Sequence, residues 1–163
     1  KAKPEHLVRI CCDNPLHSHK VVDFVVNEYH KAGTDYFSNS NQEPDYLEDG
    51  FDVEVFSFAS LKEAHEKAKL MSEREHVCPY IKKHFSCSWK KAEERYTFKL
   101  SVDTPADFAM AERIFSELEG QKDFGIKEVT DLLLAKPEIL KINQESTINS
   151  GFKKSLNEDR IVK

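Results

Sequence analysis

The chain has 163 residues, of which 39% are hydrophobic and 33% charged, and it contains 11 Phe, 5 Tyr and 1 Trp. This length and aromatic content suit one domain with a packed core and exclude a fully disordered chain. The formal net charge of −5 comes without a basic stripe, which argues against a general nucleic-acid binder. The sequence shows neither a secretory leader nor an apolar run of the roughly 18 residues that a membrane helix needs, so we expect a cytoplasmic protein without a membrane partner.

Four cysteines are spread along the chain: Cys11, Cys12, Cys78 and Cys87. Their spacing does not form a disulfide framework in a chain of this length, which fits a reducing compartment. Cys11 and Cys12 are adjacent in an apolar run and cannot form the usual metal-binding pair. We interpret them as buried strand residues.

The first half of the chain alternates short apolar runs with polar or amphipathic stretches. Residues 7–12 are mostly apolar, which predicts a buried parallel strand that ends at the turn Asp13-Asn14-Pro15. Ser18 predicts the start of a helix over residues 19–31, and Gly33 predicts its end. Further strands are predicted over residues 34–38 and 52–58, with an exposed polar loop over residues 39–50 between them.

Three helices are predicted after the strand at residues 52–58. Ser60 with Glu63, and Ser72 with Glu75, each match a capping box, in which a serine and an acid three residues later bond each other's backbone N–H groups. Pro79 would break the second of these helices. A third helix is therefore predicted to begin with Pro79 at its first position.

The second half begins with the clearest strand pattern in the sequence. Residues 96–102 alternate strictly between apolar and polar side chains, which predicts a half-buried strand. Thr104-Pro105-Ala106-Asp107 predicts the start of a helix to about residue 119, with Phe108 and Phe115 facing inward. Another helix is predicted over residues 126–135, and the polar tail at residues 138–163 should hold a short helix near 152–156. Strands alternating with helices predict one α/β domain over residues 1–163.

Two of the predicted strands end in the same way, with an aspartate followed by a turn and a helix. Asp13 follows the first strand, and Asp103 follows the strand at residues 96–102. Ligands of open α/β sheets bind outside the carboxyl ends of the strands. Two carboxylates that meet there are hard oxygen ligands suited to Mg²⁺, which usually keeps waters and binds substrate phosphates. The alternative is that each aspartate only caps its helix or turn.

Five segments in this order carry a resemblance to a known family. They are Val8-Arg9-Ile10 with Asp13-Asn14-Pro15-Leu16, Asp35-Tyr36-Phe37-Ser38-Asn39, Gly50-Phe51-Asp52-Val53-Glu54-Val55-Phe56, Arg74-Glu75-His76-Val77-Cys78-Pro79-Tyr80-Ile81, and Leu100-Ser101-Val102-Asp103-Thr104-Pro105 with Asp107. With these segments the chain resembles the C-terminal portion of the sugar cytidylyltransferases, the superfamily of the acylneuraminate and deoxy-octulosonate cytidylyltransferases. Within that superfamily it is most similar to the branch of spore-coat-polysaccharide biosynthesis.

The resemblance implies a Rossmann-like, three-layer α/β fold with the mixed, mostly parallel sheet of a nucleotidyltransferase, here without its first strands. The nucleotide-binding loop of the family, rich in Gly, Arg and Lys, is absent and is expected upstream of Lys1. The resemblance therefore also implies that this chain is part of a longer protein and is inactive alone.

The implied activity is transfer of CMP from CTP to a sugar, expected to be acidic, with release of pyrophosphate, for surface-polysaccharide biosynthesis. The resemblance implies Mg²⁺ as the cofactor, bound by Asp13 and Asp103, and a homodimer as the common assembly of related enzymes. The alternative function is a non-catalytic nucleotide-sugar-binding or assembly module that keeps the fold without the nucleotide loop.

The resemblance also implies further site residues. The catalytic candidates are Arg74 and His76, and the substrate-binding candidates are Asn39, Asp52, Glu54, Arg74 and Glu75. Arg74 suits an anionic group because a guanidinium bonds phosphates and carboxylates bidentately. The alternatives are an exposed charge set in a first helical turn for residues 74–76, an outward-facing strand acid for Glu54, and a turn residue for Asn39.

Overall fold

The computed structural model describes residues 4–40, 49–90, 98–121 and 123–162, which form an α/β fold. The strands are β1 (His6–Ile10), β2 (Tyr36–Ser38), β3 (Val53–Ser57) and β4 (Cys87–Trp89). The helices are α1 (His19–Ala32), α2 (Phe58–Lys67), α3 (Met71–Glu75), α4 (Cys78–His84), α5 (Pro105–Glu117), α6 (Ile126–Ala135) and α7 (Ser150–Asn157), with a 3₁₀ helix at Pro137–Lys141. Among these residues we find no helix with the length and apolar character needed to cross a membrane.

The four strands form one mixed sheet in the order β1-β3-β2-β4. β3 pairs antiparallel with both β1 and β2, whereas β2 and β4 run parallel. The expectation of a mostly parallel sheet is therefore wrong for the described strands. Val53 to Phe56 of β3 are buried and apolar except for Glu54, and such a run does not distinguish a parallel strand from a central antiparallel one.

β1 is an edge strand of the described sheet, and the prediction of a buried parallel strand here is wrong. Its only described partner is β3, with Arg9 opposite Glu54. Val8 and Ile10 are each 45% exposed, because α1 packs against β2 and β3 and leaves this part of the sheet face open. Composition predicts a strand here, but it does not reveal which neighbours cover it.

Helices cover both faces of the sheet. On one face, Val25 and Tyr29 of α1 pack against β2 and β3. On the other face, Tyr36 and the residues around Ile81 of α4 form a second cluster. A third cluster, centred on Phe51, joins α5, α6 and the 3₁₀ helix. The end of the second face nearest residue 13 lies beyond the helix-covered cluster and forms the floor of a cavity.

The predicted strand at residues 96–102 is wrong for its described part, residues 98–102, which have no strand structure. Side chains occupy the backbone groups that a strand would use. The N–H groups of Leu100 and Ser101 donate to the carboxylate of Asp49 at 3.0 and 2.9 Å. The carbonyl of Lys99 accepts from the Asn143 side chain at 2.9 Å. Residues 96 and 97 lie outside the described residues.

Two helices begin at other residues than their serine patterns predict. α2 begins at Phe58 after the cap Ser57, so Ser60 lies inside the helix. α3 begins at Met71, and it is Glu73, not Glu75, that accepts the N–H of Leu70, at 3.2 Å. Several Ser and Glu residues compete for a cap in these segments, and sequence spacing alone does not decide between them.

The other helix predictions are closer to the structure. α4 begins at Cys78 with Pro79 in its first turn, which confirms the break. α5 has the predicted cap, Thr104, and α6 covers residues 126–135 as predicted. The inward assignment of Phe108 and Phe115 is wrong: their side chains are 56% and 42% exposed, because neighbouring residues of α5 face the core instead. α7 confirms the short helix in the tail.

Candidate functional site

A cavity of about 540 Å³ opens at the end of the sheet where β1 stops. Its floor is one face of the β1–β3 pair, because alternate residues of a strand point to the same side. The cavity-lining residues on this floor are Arg9, Cys11, Asp13, Asp52 and Glu54. The floor therefore carries three acids and one guanidinium: Arg9 and Glu54 lie on the strands, and Asp13 and Asp52 lie in the segments beside them.

Asp13 and Asp103 line the same cavity. The backbone N–H of Val102 donates to the carbonyl of Asp13 at 2.8 Å, which brings the two aspartate segments together although residues 98–102 are not a strand. The Asp13 Oδ1 atom is buried and has no hydrogen-bond partner among the described residues. The side chain of Asp103 does not cap α5, since Thr104 and Asp107 form the capping box. Capping of the helix is thus excluded for the side chain of Asp103.

A buried lysine holds the carboxylate of Asp103. The Nζ of Lys99 donates to the carbonyl and to the Oγ of Ser101, both at 2.6 Å, and lies 2.8 Å from Asp103 Oδ2. Its side chain is only 5% exposed. Ser101 Oγ in turn donates to Asp49 Oδ2 at 2.7 Å. The Asp103 carboxylate therefore contacts a chain of polar groups that leads from Lys99 through Ser101 to Asp49, while its own side chain is 43% exposed.

Asp52 is the third aspartate of the floor region. Its Oδ2 accepts from the side chain of Asn14 at 3.4 Å and from the N–H of Gly50 at 3.3 Å. Its Oδ1 is buried without a hydrogen-bond partner in the part of the chain that the structure describes. Burial raises the pKa of this carboxyl and outweighs the hydrogen bonds from Ser40 and Gly50 that lower it, and the nearby charge of Asp49 adds to the rise. Asp52 is therefore more basic than an ordinary aspartate.

Glu54 is the centre of an ion-pair cluster on the same floor. Arg9 donates to Glu54 Oε2, Tyr36 donates to Oε1 at 2.7 Å, and Lys82 Nζ lies 3.3 Å from Oε1. Burial alone would raise the pKa of Glu54, but Lys82, Arg9 and the Tyr36 hydrogen bond outweigh burial and lower it. Glu54 stays ionised, so the alternative of an outward-facing strand acid is excluded. With two cations and one anion, the cluster carries a net charge of about +1.

α7 supplies one wall of the cavity. Phe152 packs edge-on against the ring of His76, with the ring centroids 4.8 Å apart, and Ser155 Oγ donates to Glu75 Oε2 at 2.8 Å. Glu75 and His76 both line the cavity. The Nε2 atom of His76 is buried and has no hydrogen-bond partner among the described residues. This wall thus brings two of the predicted site residues to the cavity.

Arg74 and Asn39 are not among the residues that line the cavity. The guanidinium of Arg74 donates to the carbonyls of His65 and Ala68, both at 3.3 Å, at the C-terminal end of α2. Asn39 is buried, and its side chain bonds the backbone of Phe51 and Val53 at 2.8 and 2.7 Å. In this structure both residues stabilise the fold, so neither is carried into the proposals below.

Sequence reasoning missed Arg9, Lys82, Asp49 and Lys99 as parts of the site. The sequence did contain a signal for Arg9, because Arg9 is a charged residue inside an apolar strand. It lies two residues before Cys11 and four before Asp13, a spacing that places residues of a strand on the same face. Lys99 gave no such signal, because in the alternating pattern it belongs to the polar side, where exposure is expected.

The cavity cysteines offer no nucleophile: burial raises the pKa of Cys11 and Cys78, so both stay protonated near neutral pH.

Comparison with known proteins agrees with this architecture. A family model described as "Cytidylyltransferase" matches residues 1–148. The chain is 34% identical over 146 residues to an uncharacterized protein of Methanocaldococcus jannaschii, covering 84% of this chain and 56% of that protein. Its fold is similar to the structure of a cytidylyltransferase from Leptospira borgpetersenii, with a TM-score of 0.75 and 24% identity over 88% of this chain and 60% of the other. The chain spans little more than half of these relatives, and it belongs to the cytidylyltransferase family.

Proposed function

We propose that the cavity is the sugar and metal side of a cytidylyl transfer site, at which CMP passes from CTP to an acidic sugar and pyrophosphate is released. One observation carries the proposal. The carboxylates of Asp13 and Asp103 and the cations Arg9 and Lys82 line one cavity, so a group that needs a metal and a group that needs a counter-charge can bind side by side.

In the proposed step, a hydroxyl oxygen of the sugar attacks the α-phosphorus of CTP. A new oxygen–phosphorus bond forms, the bond from the α-phosphorus to the bridging oxygen of the β-phosphate breaks, and pyrophosphate leaves with that electron pair. The hydroxyl proton needs an acceptor. Asp52 suits this task because burial raises its pKa and its Oδ1 has no partner among the described residues.

The donor set suits Mg²⁺ as the cofactor of this step. Asp13 and Asp103 are hard oxygen ligands, and the buried Asp13 Oδ1 lacks a hydrogen-bond partner within the described ranges. Those ranges contain no group of three or more His, Cys, Asp or Glu placed to hold a metal. Two carboxylates fit Mg²⁺, which is usually bound by one or two carboxylates together with substrate phosphates. When bound, it would neutralise negative charge on the triphosphate and the leaving pyrophosphate.

The acidic character of the proposed sugar follows from the cluster around Glu54. Asp52 directly precedes β3 and lies two residues before Glu54, and two residues of extended chain span about 7 Å. A sugar whose hydroxyl faces Asp52 can therefore reach Arg9 and Lys82 with a carboxylate or phosphate. The net positive charge of the cluster favours such an anionic group. The product would be a CMP-sugar, the type of donor that we expect to serve surface-polysaccharide biosynthesis.

The test is pyrophosphate release by the full-length protein from CTP and Mg²⁺ with acidic sugars, such as N-acetylneuraminate and deoxy-octulosonate, against neutral sugars. We expect release and a CMP-sugar mass with an acidic sugar only. Lys82→Met should raise the KM for the sugar roughly tenfold by loss of one charge-assisted contact, with the KM for CTP unchanged.

Lys83→Met is the matched control, because Lys83 is the exposed neighbour of Lys82 on the same helix. It should change neither KM. Binding of CTP or a CMP-sugar without pyrophosphate release from any sugar would favour the non-catalytic binding module instead.

A further inference from the structure

Lys99 is a buried ammonium directly behind one of the proposed metal ligands. All three of its N–H donors are used, on the Ser101 carbonyl, the Ser101 Oγ and Asp103 Oδ2. Asp107 Oδ2 lies 3.7 Å away. The ammonium therefore has a complete set of partners within the protein, and it neutralises the Asp103 carboxylate from the buried side.

A divalent ion on Asp103 would share that carboxylate with the ammonium. The two cations repel each other, and the repulsion is strong because Lys99 is screened from water by the surrounding chain. Asp13 and Asp103 are the two carboxylates of the proposed metal site, and the described residues contain no group of three or more His, Cys, Asp or Glu placed to hold a metal. Free metal thus meets a weak site, whereas the negative phosphates of a nucleotide would add both ligands and charge.

We propose that Lys99 is the resident counter-ion of Asp103 and weakens the binding of free divalent metal, so that the metal is held only together with the triphosphate. The proposal rests on the proposed function, since it takes Asp103 as a metal ligand. It assigns Lys99 a positioning role: the lysine touches neither substrate nor metal, and it acts through the Asp103 carboxylate.

The test uses Mn²⁺ as the probe and measures its binding to the full-length protein by water-proton relaxation, which separates protein-bound from nucleotide-bound ion. Without nucleotide, Lys99→Met and Lys99→Gln should bind Mn²⁺ roughly tenfold more tightly than wild type or better, because the competing charge is gone. Lys127→Met is the matched control: it removes one lysine charge from an exposed pair with Asp131, and it should leave Mn²⁺ binding unchanged.

Two further measurements keep the result interpretable. Lys99→Gln retains hydrogen-bonding capacity towards Ser101, so it remains available if Lys99→Met does not fold. Adding Asp103→Asn to either variant should abolish the gain, because the carboxylate is then absent. Folded Lys99 variants with wild-type Mn²⁺ affinity would overturn the proposal, as would wild-type protein that binds Mn²⁺ equally tightly with and without CTP. Because this readout needs no turnover, loss of cytidylyl transfer alone would count against the proposed function and not against Lys99.

Discussion

Asp52 is a buried acid of the cavity whose hydrogen bonds from Asn14 and Gly50 are long, while burial opposes its charge. Asn14 and Gly50 donate to Oδ2 at 3.4 and 3.3 Å, and no described residue donates to Oδ1. The folded protein therefore raises the pKa of Asp52 above its ordinary value. Ionisation of such a buried carboxyl lowers the stability of the folded protein. Carboxyls of this kind are common at functional sites, where the ionised form takes part in binding or catalysis.

Asp52→Asn should raise the melting temperature at pH 8 and change it little at pH 4. Below the ordinary carboxyl pKa, Asp52 is protonated in both the folded and unfolded states and its stability contribution is fully present. As the pH rises through the raised folded-state pKa, wild type loses that contribution and the neutral Asn does not. Pyrophosphate release should fall in the same variant, because the proton acceptor is missing.

Calorimetry from pH 4 to pH 8 checks this prediction, with Asp23→Asn as the control, since Asp23 is exposed on α1. The control should follow wild type at every pH. An Asp52→Asn protein less stable than wild type at pH 8 would show that the carboxylate is stabilised by its surroundings after all.

Single residues also show where sequence reasoning reached its limit. Asp13 and Asp103 could be found from their matched settings, and Glu75 and His76 from the resemblance; all four line the cavity. Arg74 was a candidate from the same resemblance, but its guanidinium donates to the carbonyls at the end of α2. Sequence spacing places a residue on an element, but it does not state which way a long side chain points.

At the scale of elements, the cap at the start of α5 both stabilises the helix and holds the backbone of Asp103. Asp107 accepts from the N–H groups of Asp103 and Thr104 at 3.2 and 2.9 Å, and from the Asn143 side chain at 2.8 Å. Burial alone would raise the pKa of Asp107, but hydrogen bonds from Asn143, Ser146, Thr104 and Asp103 outweigh it and lower the pKa to about 2. The cap thus orients the backbone that carries Asp103.

Asp107→Asn should reduce the free energy of unfolding by about 2 kcal/mol at pH 7, because one acceptor oxygen and the charge that strengthens these bonds are lost. Wild type has the full benefit above the ordinary carboxyl pKa and loses it as the pH falls towards about 2. The difference between the two proteins should therefore be constant from pH 5 to 8 and shrink below pH 4.

Urea unfolding at pH 7, 5 and 3 measures this difference, and Glu112→Gln, an exposed acid on the same helix, is the control. A loss of stability that persists unchanged at pH 3 would mean that the charge of Asp107 does not contribute.

The segment at residues 98–102 explains why a strong strand pattern failed. Alternation is typical of a half-buried strand with an exposed polar side, yet here the polar residues Lys99 and Ser101 are buried in a polar network. Asp49 and Asn143 bond the backbone in place of a neighbouring strand. These partners lie 51 and 44 residues away in sequence, so no local pattern could reveal them.

At the scale of the whole molecule, the α/β class could be predicted from the order of elements, but the pairing of the strands could not. The described sheet begins with β1, whose outer edge has no described partner strand and whose Val8 and Ile10 are exposed. The cavity lies where β1 stops, as the rule for open α/β sheets predicts, although β1 and β3 are antiparallel. The error in strand direction therefore leaves the cavity at the carboxyl end of β1, and its role as the site stays a prediction.

The most direct measurement of the central claim is pyrophosphate release by full-length Asp13→Asn protein with CTP, an acidic sugar and limiting Mg²⁺. Asp13 is the best position for this test, because its buried Oδ1 has no hydrogen-bond partner among the described residues. The substitution therefore breaks no described hydrogen bond of that atom. If Asp13 holds the metal, release should fall roughly 100-fold or more and recover in part at high Mg²⁺, with the melting temperature and the Asp23→Asn control close to wild type. Wild-type release by Asp13→Asn at limiting Mg²⁺ would contradict the account.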